Sequence, residues 1–415
     1  MSTEFRHTAN LVVGTGVTAA LALVYSSITA RNLGTVLFGE VAVCLSIIMA
    51  AQTAFGPING IVARFTADYA ARDAWGMVRT LYRDYCIRVL AWGGIGAMFM
   101  FLTAAPLRRL FQLSSNSSLY LAYAILCASL WLSVGRGALR GAQAFTAHNA
   151  STVIDAAARL AIGVLLVTFW PQPGPALLAY LLGLVVTLTY TPSQLAVLWR
   201  HHTAVPIDRA EVRRFAWPMF AVMLVTAGFQ NVDMLYVKHE FSAQDAGVYG
   251  AAFTLTRLIA VMVTPFNVVL LPILTARHAG GRSIHGSLGR LCLYFVVLAA
   301  GPLALFAFWP EHVVRAFSPE GYGSAAGLLG ELALVRLLGH LCHMVALAGA
   351  AVHDFRFLYF YAPLFAVQSI VLAWLGDDVT SVLHALLIIH SVMVAAFAVY
   401  IITTIRSSTA MKAAR

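Results

Sequence analysis

The sequence predicts an all-α integral membrane protein of about twelve transmembrane helices, in two parallel six-helix repeats around a central cavity. Three observations predict it. Of the 415 residues 60% are apolar and only 11% charged, against about 45–50% and about 25% in a soluble domain; the mean hydropathy is +0.81. The apolar residues fall into runs of roughly the 20 residues that a helix needs to cross a bilayer. A pattern of proline, asparagine and glycine recurs half a chain apart. So much apolar surface cannot hide in one globular core, which excludes a soluble enzyme, a nucleic-acid binder and a secreted domain. The net charge of +10 then reflects loops facing anionic lipid, with no nucleic-acid partner.

The runs lie at 11–30, 38–62, 86–105, 119–134, 148–170, 176–198, 215–236, 247–275, 291–309, 329–351, 357–375 and 382–403. The first is long enough to span, has no small-residue cleavage site behind it, and is expected to be retained. The fourth is short and the eighth long. "WPQPGP" (170–175) is a proline-rich turn and "LGDDVT" (375–380) an acidic one. Between the second and third runs, residues 64–88 alternate Arg64, Arg72, Arg79, Arg83 and Arg88 with Tyr69, Trp75, Tyr82 and Tyr85, which predicts a helix lying at the interface. With the N-terminus inside, nineteen Lys and Arg fall on cytoplasmic segments, Arg136 and Arg140 among them. Only five fall outside, Arg31, Arg108, Arg109, Lys238 and Arg315. That bias places both termini in the cytoplasm. Cys44, Cys86, Cys127, Cys292 and Cys342 lie in or beside apolar runs without a CxxC pair, and read as packing residues.

"FGPINGIVARF" (55–65) puts Pro57 and Asn59 inside an apolar run. At an offset of 208 residues, "VTPFNVVLLPI" (263–273) repeats them as Pro265 and Asn267, and Gly39 falls on Gly247. At 206, Cys86 falls on Cys292. Six spans separate the copies, an even number, so the halves share one orientation. The lobes are 1–203 and 204–415. Proline removes a helix hydrogen bond, and in lipid the freed group must be satisfied within the protein. Kinks at matched places suit two lobes around a cavity, although they equally serve packing alone.

"ARNLGTVLFGEVAV" (30–43) resembles the start of polysaccharide exporters and O-antigen flippases. "GRGALRGAQAFTAHNASTVIDAAARLAIGVLLV" (135–167) is similar to their fourth-to-fifth helix region, and 231–275 to the opening of their second half. These belong to a superfamily shared with lipid II flippases and multidrug exporters. The resemblance implies a V-shaped twelve-helix bundle with a hydrophilic cavity in the bacterial inner membrane. It implies movement of a polyprenyl-pyrophosphate-linked oligosaccharide, an O-antigen, capsule or exopolysaccharide precursor, from inner to outer leaflet. Membrane lipids, a polysaccharide polymerase and other assembly proteins are the partners it implies.

An ionisable residue within a span costs roughly 2.5–3.5 kcal/mol on insertion scales and needs a reason. Asp155 and Arg159, four apart, share one helix face. Arg257 lies near mid-membrane with no carboxylate three or four positions away, and Arg336 enters the tenth span beyond Glu331. Guanidinium forks match phosphate oxygens, so Arg159, Arg257 and Arg336 are the candidate substrate contacts, each with structural ion pairing as the alternative. Asp233 is expected to pair with Arg257, with proton or cation coupling as the alternative. His340 and His343 lie side by side, but no third metal ligand is evident, and no cofactor is expected. With only Lys238 and Lys412 as lysines there is no phosphate-loop motif. G-x-S-x-G and H-E-x-x-H motifs are also absent. A membrane glycosyltransferase or polymerase would want acids on a large outer loop, whereas 310–328 is short and carries Glu311 and Glu320. A cation-exporting multidrug transporter would line its cavity with carboxylates, where this chain buries arginines.

Overall fold

The computed structural model describes residues 3–199, 202–263, 266, 270, 274, 285–318, 320–352, 354–375 and 378–413. Pro265 and Asn267 lie outside the described residues. The elements are α1 (Thr3–Ala54), α2 (Pro57–Ala71), α3 (Trp75–Leu110), α4 (Asn116–Gly141), α5 (Phe145–Phe169), α6 (Pro173–Trp199), α7 (Arg209–Glu240), α8 (Ala243–Thr256), α9 (His285–Phe308), α10 (Pro310–Phe317), α11 (Ala326–Ala351), α12 (Leu358–Leu375) and α13 (Val379–Ala413). Among the described residues ten helical runs are long and apolar enough to cross a membrane. The first, Val13–Ala71, holds 59 residues, enough for two of the apolar runs of the sequence. A shorter apolar helix, Leu358–Trp374, takes the eleventh. The protein is a multi-pass, all-α membrane protein.

α1 is two helical segments, broken at Gly34 with φ 70° and ψ 178°. Only glycine adopts that conformation readily, so the first two spans are separated by a single residue. α2, α3 and α4 end in one way. Asp73, Gln112 and Gln143 take positive φ of 56°, 48° and 59°. The next residue donates back across the last turn: Ala74 to Tyr69 O at 2.9 Å, Leu113 to Arg108 O at 2.9 Å and Ala144 to Leu139 O at 2.9 Å. This cap usually employs glycine. Such tight reversals fit many spans into a short chain.

Residues 64–88 do not form one helix. They are the end of α2 and the start of α3, joined by the cap at Asp73. The reason is a buried stripe at helical spacing: Phe65 with Tyr69, and Leu81 with Tyr85, fill one core with Ile61, Val62 and Leu139. α10 falls within 310–328, read from the sequence as a loop, and buries Val314 and Phe317.

Within "FGPINGIVARF" the chain breaks between α1 and α2. Pro57 stands at the first turn of α2, where its missing N–H costs nothing. The carbonyl four residues earlier, Thr53, accepts instead from Gly56 N at 3.0 Å. Asn59 Nδ2 donates to Ser133 O of α4 at 3.0 Å, tying α2 to α4 across apolar surroundings. Asn59→Ala is expected to lower unfolding stability by about 1 kcal/mol, measured by thermal unfolding of the purified protein in detergent. A melting temperature equal to wild type would mean that this bond contributes nothing net.

The chain packs as two units. One comprises Met1–Ala227 with Lys238–Ala251; the other comprises Gly228–Val237 with Ala252–Arg415. In the first, α1 and α6 flank α5, and α2, α3 and α6 surround α4. In the second, α11 is central, packed by α9, α10 and α13. Peripheral helices expose large apolar side chains, among them Trp92 and Phe101 on α3, Phe308 on α9 and Trp374 on α12. Apolar surface on that scale requires lipid as its solvent.

Candidate functional site

Two clusters of buried charge stand out, one in each unit. In the first unit α5 and α6 approach closely at Gly183, where an added Cβ would come within 2.9 Å of Asp155 O and 3.1 Å of Arg159 Cβ. This crossing sets Asp155 and Arg159 of α5 beside Tyr180 of α6. Arg159 Nη2 is 3.9 Å from Asp155 Oδ1, and its guanidinium carbon lies 4.4 Å from the centre of the Tyr180 ring. Arg159 Nε has no hydrogen-bond partner among the described residues.

The second cation at Asp155 is Arg136, read from the sequence as a charge on a cytoplasmic segment. It sits inside α4 and reaches across to α5. Its Nη2 is 3.4 Å from Asp155 Oδ2 and donates to Ser151 O at 2.9 Å. Its Nε donates to Ser151 Oγ at 3.0 Å. The side chains of Arg136, Asp155 and Arg159 are 19%, 14% and 12% exposed. Two guanidinium groups therefore share one carboxylate, and the cluster keeps one positive charge. The sequence signal for Arg136 was its helical surroundings, "SVGRGALRG", with no turn residue beyond glycine.

In the second unit the charge is balanced. Arg336 Nη2 of α11 lies 2.6 Å from Asp233 Oδ2 of α7, and Nη1 donates to Gln230 O at 2.6 Å. The guanidinium carbon lies 4.6 Å from the centre of the Phe253 ring. Asp233 and Arg336 side chains are 1% and 7% exposed. One turn along α11, His340 Nδ1 meets Gln230 Nε2 at 3.2 Å. His390 of α13, not singled out from the sequence, is buried with its ring edge-on to Phe229 at 5.7 Å. Gln368 of α12 is fully buried. Arg257 is half-buried at a one-residue interruption where α8 gives way to helical residues 258–263; its carbonyl accepts from Val261 N at 3.1 Å. Glu331 lies 3.6 Å from His384 of α13.

Lys238 is also buried rather than in an outer loop, fully covered and within electrostatic reach of Glu40. Glu40 Oε2 accepts from Ser114 N and Oγ at 2.9 and 2.8 Å.

Long apolar helices around these charges define a multi-pass membrane protein. An inward-facing multidrug resistance transporter of the MATE family, in the MOP superfamily, matches with TM-score 0.76 at 14% identity, over 94% of this chain and 95% of its own. Lipid II flippase MurJ in an inward closed conformation matches with TM-score 0.71 at 12% identity, over 94% and 86%. A MATE in the bent conformation gives 0.68 at 15%, over 99% and 96%. At such identities the likeness is one of fold. No curated protein sequence matches the chain. The family model for polysaccharide biosynthesis proteins matches residues 5–278, and the chain belongs to that family.

Proposed function

We propose that this protein is a flippase, not an enzyme, moving a polyprenyl-pyrophosphate-linked oligosaccharide from the inner to the outer leaflet of the bacterial cytoplasmic membrane by alternating access. Membership of the polysaccharide biosynthesis family supports the pathway, and the transporter fold supports the activity. The observation that carries the reading to an anionic substrate is the Arg136–Asp155–Arg159 cluster. A buried excess of guanidinium is costly unless an anion completes it, and a pyrophosphate supplies acceptor oxygens in the geometry a guanidinium fork matches. Arg159 is the assigned donor, since it shares Asp155 with Arg136 and approaches it only to 3.9 Å. Arg257 is a second candidate. Arg336, with both terminal nitrogens held by Asp233 and Gln230, is assigned to holding α11 against α7. The basic bias of the loops orients both termini to the cytoplasm. The lobes of the transport cycle are taken as 1–203 and 204–415, and a polysaccharide polymerase and other assembly proteins as partners.

The test is deletion of the gene in its own host, with mass spectrometry of the lipid extract and analysis of the surface polysaccharide. Lipid-linked oligosaccharide should accumulate and the surface glycan disappear. Wild type should restore export, Arg159→Lys in part, and Arg159→Ala at least about tenfold less well, the loss of roughly one charge-assisted hydrogen bond. An intact glycan with no accumulating lipid-linked sugar, in a host without a redundant flippase, would falsify the assignment and favour drug export.

A further inference from the structure

The arginine and aromatic residues of 64–88 have no part in that transport reading, and the structure gives them another setting. Tyr69 and Tyr85 are core, but Trp75 and Tyr82 sit at its edge. Beside Tyr82 opens a cavity of about 520 Å³, walled by α3, Trp131 of α4, Trp199 of α6 and residues 203–204. Arg79, Arg83, Ile87 and Leu90 line it from α3; spaced four, four and three residues apart, they form one helix face. Tyr82 and Trp199 have ring centres 5.3 Å apart.

The lining changes character along its length. At one end are two guanidinium groups and, among the described residues that line it, no carboxylate. Arg79 spends one N–H on His202 O at 2.9 Å. Arg83, 60% exposed, is 3.9 Å from Asp84, whose carboxylate is already held by Arg209 at 2.6 Å. Next come the aromatic rings. At the other end Ile87 and Leu90, 55% and 53% exposed, lead along the same helix face to Met98 and Phe101, 65% and 72% exposed. Cation, aromatic amphiphile and bare hydrocarbon surface follow one another in the order in which a phospholipid presents phosphate, ester and acyl chain.

We propose that this cavity binds one anionic phospholipid, its phosphate between Arg79 and Arg83 and an acyl chain along Ile87 and Leu90. With the orientation assigned above, the lipid belongs to the cytoplasmic leaflet. The site borders the segment that leads into α7, which is strapped to α3 by Val205 N to Gly76 O at 3.2 Å and by Arg209 Nε to Asp84 Oδ2 at 2.8 Å. A headgroup seated there touches Thr203 and Ala204, so the lipid also steadies that segment.

The test is retention of lipid by the full-length protein, purified in neutral detergent and read by native mass spectrometry, with dioleoylphosphatidylglycerol competing against dioleoylphosphatidylcholine. One phosphatidylglycerol should be retained in preference. Arg83→Gln, an exposed position whose loss spares the core, should weaken retention about fivefold, and Arg79→Gln with Arg83→Gln about 25-fold. Arg64→Gln and Arg88→Gln, outside the cavity, should leave it unchanged. Equal retention of both lipids overturns the proposal. So does an equal loss in Arg88→Gln, which would make the attraction diffuse surface charge. Displacement by millimolar inorganic phosphate would mark a bare anion site, and stronger retention of polyprenyl phosphate a substrate vestibule; either overturns it too. Binding is read on the protein alone, so failure here leaves the flippase assignment standing, and failure of the export test leaves this one.

Discussion

Asp233→Ala is expected to destabilise the protein by about 3–5 kcal/mol, seen as a lower unfolding free energy in detergent. Arg336 is 7% exposed on its side chain, and Asp233 is the carboxylate at 2.6 Å from it. Removing Asp233 leaves a buried cation whose remaining contacts, the Gln230 carbonyl and the Phe253 face, carry no full negative charge. The double variant Asp233→Leu, Arg336→Met removes both charges and keeps the volume, and should recover most of the loss, because the desolvation penalty goes with the pair. Arg209 provides the contrast. It is also 2.6 Å from a carboxylate, Asp84, but its own side chain is 64% exposed and the buried Asp84 keeps Arg83 at 3.9 Å, so Arg209→Ala should cost less, about 1–2 kcal/mol. Wild-type stability in Asp233→Ala would mean that water or another anion reaches Arg336.

Gly247→Leu should abolish accumulation of folded protein, and Gly247→Ala should cost about 1–3 kcal/mol. A Cβ on Gly247 would overlap the carbonyl oxygen of Thr35, and one on Gly39 would lie 3.0 Å from Gly247 N. Both obstacles are backbone, which cannot rotate aside as a side chain can. Thr35 Oγ1 also donates to Gln244 Oε1 at 2.5 Å beside this crossing, and would be pushed off it. Gly301 in α9 is the control: nothing lies within 4 Å of its added Cβ. Gly301→Ala should be neutral or stabilise by up to about 1 kcal/mol through helix propensity. Thermal unfolding and size-exclusion profiles decide both. Equal tolerance at positions 247 and 301 would show that the close crossing does not form in solution.

The helices were legible in the sequence because lipid leaves so strong a mark on composition. What charges do inside the bundle was legible only where the partners are neighbours on one helix. Asp155 and Arg159 could be paired by their spacing, yet at 3.9 Å theirs is the looser contact; the nearer one, at 3.4 Å, comes from Arg136 on another helix. Counting basic residues as loop markers placed Arg136 outside the membrane core, because Ser151 and Asp155, which satisfy it, are brought to it only by packing. Asp233 was expected to pair with Arg257, and no pairing with Arg336 was foreseen. A guanidinium held at 2.6 Å from Asp233 is that of Arg336, 103 residues away. Tyr69 and Tyr85 carried a signal that was present but outweighed: their four-residue spacing from Phe65 and Leu81 marks a buried stripe, and the interleaved arginines suggested a surface.

Gly39 and Gly247 are also the positions that correspond to each other in the two halves of the chain, and they touch backbone to backbone. A methyl group gained at either glycine meets backbone of the other segment, so the two positions are constrained together. The residues beside them are freer: Thr35 and Ala243, four before each glycine, already differ. The matched segments can therefore diverge one residue at a time while the crossing they share stays closed to any side chain.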